Sequence, residues 1–299
     1  MKIKIKHIVL YTLILLLLSG CNSQRNMQTE VKPKDKAPDS LKNLSSGIDE
    51  LLGTLTNIEK LSLDMPLPQQ VEEKFKPKTI DEQTGGQNNQ GQGQQNNEQA
   101  QDGEGNGNSG QEHQQQQQII PEPTKDEKLK ILWDSMQHKL EEIHPQWNTF
   151  EVEGLKKGAT KEAGNRFDES FNKMTIAVEN KQVEHIYDNA SQAIMNLKPF
   201  YDLYLDDMGG DISALKYAAY QSYARAIQGN IEGAIDVLNN VEENINKIRL
   251  KMTDEDKKPN IEKTSLAISG FKESLSENSR KLFMIKKDII IDNLKSIED

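Results

Sequence analysis

One cysteine, Cys21, serves the whole chain of 299 residues. This excludes an intrachain disulfide, a Cys-x-x-Cys site and a Cys-x-x-Cys-His haem attachment. Packing alone must therefore hold whatever folds here, even in an oxidising compartment. Hydrophobic residues are 34% of the chain and aromatic residues 5%, low against the roughly 45–50% apolar residues (glycine counted) of globular domains. Positive charge is also short. Lys and Arg number 37 against 47 Asp and Glu, a formal charge of −10. A chain this acidic should not hold nucleic acid, or an anionic lipid surface, by general electrostatics. There is no Gly-x-Ser-x-Gly elbow and no glycine-rich phosphate loop after a strand. Carboxylates are plentiful, yet spacing singles out no acid–base pair. The expectation is a chain that is not an enzyme and holds no cofactor.

What is present begins at the N-terminus. Lys2, Lys4 and Lys6 precede an apolar run from Ile8 to Leu18, followed by Ser19, Gly20 and Cys21. A basic start, a short apolar stretch and small residues at its end read as a secretory signal peptide. The apolar run is too short for a membrane span, which needs about 20 residues. Leu18-Ser19-Gly20-Cys21 resembles the lipobox of bacterial lipoproteins. The resemblance covers about the first 21 residues. It implies transfer of diacylglycerol to the Cys21 thiol and cleavage before it, which makes residues 1–20 a signal peptide. It also implies a membrane-anchored protein on the extracytoplasmic face, attached through lipid at Cys21. Two acyl chains anchor stably where one binds only marginally.

Residues 21–39 are polar, with Pro33 and Pro38, and read as a tether. Residues 40–64 read as an amphipathic helix. Leu41, Leu44, Ile48, Leu51, Leu55 and Ile58 alternate spacings of three and four, a coiled-coil-like stripe. Gly47 and Gly53 weaken it by about 1 kcal/mol each relative to alanine. The helix either docks on the main domain or serves self-association or a partner. Residues 65–123 read as a linker. From Gln83 to Gln118 glutamine, asparagine and glycine dominate, with no aromatic or branched aliphatic residue. Such a tract cannot bury enough apolar surface to offset its ordering entropy, so disorder is expected. It is either a spacer or a low-complexity insert without consequence.

Residues 124–299 have helical periodicity throughout. Leu129, Leu132, Met136 and Leu140 share a face of a helix that Pro145 should stop, leaving 146–159 as a connector. Thr160 can cap a helix bearing Phe167, Phe171 and Met174. A further helix from Val183 carries Ile186, Ile194, Tyr201 and Tyr204, with Pro199 expected to kink or divide it. Gly209-Gly210 reads as a stop before a cap at Asp211 or Ser213. Ala214 to Gln228 is a helix rich in small residues. Ile231 to Ile248 and Ile261 to about Ile297 read as one helix each, the second about 55 Å long at 1.5 Å per residue. The predicted class is an all-α bundle of antiparallel helices. The alternative is an array of helical hairpins, since Gly229 to Ile235 faintly resembles part of a tetratricopeptide repeat without its period or full signature.

Chemistry-bearing candidates are few. His138, His144 and His185 are the histidines of the helical part, and Glu141 and His144 form a lone Glu-x-x-His. A carboxylate metal bundle needs a second such pair. Asp202, Asp206, Asp207 and Asp211 cluster beside two glycines, but without the spacing of an EF-hand. No metal site is assigned. Tyr201, Tyr204, Tyr217, Tyr220 and Tyr223 suit either a half-buried seam or an interaction surface for a protein partner at the cell envelope. The expected function is a membrane-anchored lipoprotein with a non-catalytic helical binding or scaffolding domain. The alternative is a bundle that carries a metal or small ligand.

Overall fold

Three- and four-residue spacing of apolar side chains becomes helix through almost all of the chain described by the computed structural model, residues 35–79 and 119–298. The helices are α1 (Asp39–Ser62), α2 (Gln69–Phe75), α3 (Lys125–Lys157), α4 (Lys161–Glu179) and α5 (Val183–Tyr201). They continue with α6 (Gly209–Ile227), α7 (Ile231–Asn239), α8 (Glu242–Lys251), α9 (Lys258–Ser274) and α10 (Arg280–Glu298). Among the described residues, extended pairing is confined to β1 (Lys78–Thr79) and β2 (Ile119–Ile120), antiparallel with Lys78 opposite Ile120. The architecture is the expected all-α bundle. The segment Phe283–Ile291, apolar enough to pass for a strand, lies within α10.

Helix α1 docks on the helical body and lies inside it. The apolar stripe Leu41, Leu44, Ile48, Leu51, Leu55 and Ile58 is wholly buried. A second stripe, Ser45, Asp49, Leu52, Thr56 and Glu59, is buried too, so the helix needs neighbours on two sides. This is why no boundary separates it from the helices after residue 124: all share one core. Antiparallel pairing of α1 with α3 is marked by Ser40 on Glu153 at 2.7 Å, Glu50 on Lys139 at 2.7 Å and Asp64 on Lys125 at 2.6 Å. Gly47 has a packing reason, because a Cβ there would lie 2.8 Å from Ile143 Cγ1. Gly53 faces open space.

Several sequence expectations are corrected. Part of the segment expected as linker is folded: Gln69–Phe75 is helical, and buried Phe75 takes the Lys128 ammonium 5.5 Å from its ring centre. Residues 80–118 lie outside the described residues, but Thr79 and Ile119, which flank them, are paired. Pro145 does not stop α3. Beyond it Trp147, Phe150 and Gly154 are buried, and this packing outweighs the lost backbone bond. The helix ends at Gly158 instead, whose φ of +117° suits glycine. Pro199 sits in the last turn of α5, so Tyr204 falls outside the helix. Helix α6 starts at Gly209 rather than after Gly210, with Asp207 Oδ1 accepting the Gly209 N–H at 2.7 Å.

The two long C-terminal helices are each divided. Asn240 and Val241 separate α7 from α8, and Val241 is buried. Asn278, at φ +48° after a 3-10 turn over Leu275–Glu277, separates α9 from α10. Ser279 Oγ then accepts the Leu282 N–H at 3.3 Å. Folding back lets Phe271 and Phe283 pack, ring centres 6.5 Å apart. A single straight helix would hold the two side chains about 18 Å apart along its axis.

Candidate functional site

The charged residues of the inner stripe of α1 meet α5, α6 and α10 in a seam of buried ionised groups. Lys216 on α6 is 1% exposed. Its ammonium donates to Asp49 Oδ2 at 2.5 Å and to Glu298 Oε2 at 2.6 Å. Burial works against its charge, but the two carboxylates outweigh burial and hold Lys216 above the ordinary lysine value. Further along, Lys287 on α10 is fully buried. Its ammonium donates to Thr56 Oγ1 at 2.8 Å and pairs with Asp288 at 2.9 Å. The rings of Tyr187, Tyr220 and Tyr223 surround it, centres 5.1, 5.4 and 5.1 Å away. Aromatic faces attract a cation but replace water poorly, so burial pushes Lys287 below the usual lysine value despite Asp288, and the Lys60 charge adds to the depression. Asp288 is held low against its burial, because Lys287 and Lys60 both face it. The seam ends at Glu59, which accepts from Tyr223 Oη at 3.0 Å and Arg280 Nη2 at 2.5 Å.

At the Lys216 end the seam opens to a cleft of about 590 Å³, where the starts of α1 and α6 meet the ends of α5 and α10. Small-molecule sites are commonly about 300–1,000 Å³. Tyr201, Met208, Ile212 and Ile297 supply its apolar wall, and Lys36, Lys42 and Lys295 stand around it. The Tyr201 hydroxyl bonds to Ser45, and burial first of all raises its pKa. The ring packs against Gly209, whose missing side chain makes room for it. Asp207 is spent on structure, accepting from the backbone N–H groups of Ala37 and Gly209. Asp49 also lines the cleft. It is 7% exposed, and its Oδ1 has no hydrogen-bond partner.

The sequence candidates fare unevenly. Tyr220 and Tyr223 form part of the Lys287 cage, Tyr201 lines the cleft, and Tyr204 is buried with Lys157 4.8 Å from its ring centre. Only Tyr217 is as much as half-buried, so the five do not make an exposed interaction surface. Tyr220 and Tyr223 turn inward onto the Lys287 ammonium, while Tyr201 packs on Gly209. The cage residue missed from sequence is Tyr187. Ala190 and Ile194, three and seven residues after it, already mark that face as inward.

The histidines stand apart. His138 is exposed beside Glu141, His144 bonds Thr175 at 3.1 Å and packs with its ring tilted against Phe171, and His185 bonds Gln182. Asp202 and Asp211 are engaged by lysines, Lys198 serving both. Among the described residues no group of three or more His, Cys, Asp or Glu could hold a metal ion. No described helix is long and apolar enough to cross a membrane. Cys21, the lipidation candidate, lies outside the described residues. No family model, curated protein or solved structure matches this chain.

Proposed function

We propose that the chain is a membrane-anchored extracytoplasmic lipoprotein whose helical unit is a non-catalytic binding module. The anchor rests on Leu18-Ser19-Gly20-Cys21 behind the basic and apolar start of the chain. Such a protein is held by acyl chains on Cys21. The binding role rests on one observation, the cleft where α1, α5, α6 and α10 meet. Of the two carrier forms, metal and small ligand, the cleft favours the small ligand. A protein partner at the envelope remains part of the scaffolding form of this reading.

The test of the anchor is metabolic labelling with an alkyne-tagged palmitate, followed by fractionation. The native chain is expected to take the label and sediment with membranes. Cys21→Ser should lose both label and sedimentation. A Cys21→Ser chain that stays with the membrane, or a native chain without label, would show the lipoprotein reading to be wrong.

A further inference from the structure

We infer that the cleft binds a small zwitterion of the amino-acid or short-peptide type, with its carboxylates on Lys42 and Lys295 and its ammonium on Asp49. This deepens the binding-module reading above and rests on it. Several polar groups in the cleft already have partners. Glu50 pairs with Lys139 at 2.7 Å. Asp207 accepts two backbone N–H groups. Glu298 meets Lys216 at 2.6 Å. What is left over is of two kinds. Lys36, Lys42 and Lys295 make no ion pair among the described residues. The other is Asp49, which lines the same cleft and whose buried Oδ1 has no hydrogen-bond partner.

A carboxylate oxygen in that condition keeps a desolvation cost that a donor would remove. Lys216 does not reach it, since its ammonium is engaged by Asp49 Oδ2 and Glu298. A bare dianion would leave Oδ1 unsatisfied and bring negative charge toward Asp49. A bare amine would leave the three lysines without counter-charge. A molecule that carries both carboxylates and an ammonium answers both, and the apolar wall of Tyr201, Met208 and Ile297 suits its short carbon chain.

The experiment is calorimetric titration of the detergent-solubilised full chain with L-glutamate, glutarate and butylammonium. Glutarate is glutamate without its ammonium, so the pair isolates the contact with Asp49. Glutamate is expected to bind saturably, more weakly as salt is raised. Glutarate is expected to bind at least tenfold more weakly, the usual scale for loss of a charge-assisted hydrogen bond. Lys42→Ala with Lys295→Ala should abolish glutamate binding. Both lysines are exposed and without an ion pair, so this variant should keep the thermal midpoint of the native chain. Ser46→Trp, at the cleft mouth, should also block binding. Equal binding of glutarate, preferential binding of butylammonium, or glutamate binding that survives the double lysine variant would overturn the zwitterion assignment. If glutarate or butylammonium binds and Ser46→Trp blocks it, only the ligand class is wrong and the cleft remains a binding site. If none of the three binds, the inference fails, while palmitate labelling judges the anchor independently.

Discussion

The bundle has two interiors built on different chemistry. Between α3, α4 and α5 the core is apolar and aromatic. Trp147, Phe150, Phe167 and Phe200 interlock, with ring centres 4.2 to 6.2 Å apart among the contacting pairs. The one polar handle, the Trp147 indole N–H, donates to Asp168 at 2.6 Å. Between α1, α6 and α10 the core is ionised, with Lys216, Lys287, Asp49 and Glu59 all buried. An aromatic core is held by area and fit. An ionised core is held by the completeness of its pairing, because each buried charge costs several kcal/mol unless answered. The first kind serves stability. The second is less efficient at that, and here two of its carboxylates, Asp49 and Glu298, line the cleft.

Substitutions in the ionised half sharpen this contrast most. Lys216→Ala strips the counter-charge from Asp49 and Glu298 and should cost about 3–5 kcal/mol in chemical denaturation. Replacing the set together, Asp49→Leu, Lys216→Met and Glu298→Leu, should return most of that loss, since apolar isosteres of a buried ion pair are often neutral or better. In the aromatic half, Phe200→Ala should cost about 3–5 kcal/mol. No polar change elsewhere should recover that loss, because what is lost is packing of a side chain 1% exposed. If the triple variant stays as unstable as Lys216→Ala, the seam is a stability device and the contrast drawn above fails.

The two halves also differ in how plainly the sequence announced them. Phe167, Phe171 and Met174 are read inward from spacing, and they are inward, because residue type and period agree. In the seam they disagree. Lys287 lies four residues after Phe283 and four before Ile291, both buried, a core position by period and a surface residue by type. The stripe Ser45, Asp49, Leu52, Thr56, Glu59 has the same conflict. Residue type is the wrong guide there, since long-range partners satisfy the charges: Asp49 meets Lys216, and Glu59 meets Arg280. Helix ends depart from their local sequence signals for a related reason. Pro145 is a local stop signal overridden by Trp147 and Phe150, while the breaks at Asn240 and Asn278 rest on asparagines that a long apolar period conceals.

A smaller effect tests how the cleft is shaped. A Cβ on Gly209 would overlap the Tyr201 ring, and one on Gly210 would lie 2.7 Å from Asp202 Oδ1. Gly209→Ala should therefore push Tyr201 into the cleft and cost about 1–3 kcal/mol through overpacking. It should also weaken glutamate binding, whereas Gly53→Ala, with nothing within 4 Å of its Cβ, should leave binding unchanged. Thermal unfolding with and without ligand separates the two variants.

The subtlest comparison lies between the two buried lysines, and pH resolves it. Lys216 is raised above its unfolded value of about 10.5. Its contribution is therefore complete below that pH and is lost as pH climbs through the folded value. Lys287 is lowered. Between its folded value and about 10.5 the unfolded chain binds the proton that the fold gives up, so this group makes the fold relatively more stable as pH rises across that window. The cage tyrosines act in the opposite sense. Burial raises Tyr187, Tyr220 and Tyr223, so the unfolded chain ionises first above about pH 10 and the fold loses stability there. The whole protein should thus weaken in strong alkali. Set beside a Lys287→Met variant, however, the native chain should gain relative stability as pH approaches about 10.5 from below, read as a difference in urea midpoints. For Lys216→Met the difference should stay flat over the same range and shrink only at higher pH. Two flat differences would mean that the tyrosine cage and Asp288 together hold Lys287 charged as firmly as Asp49 and Glu298 hold Lys216.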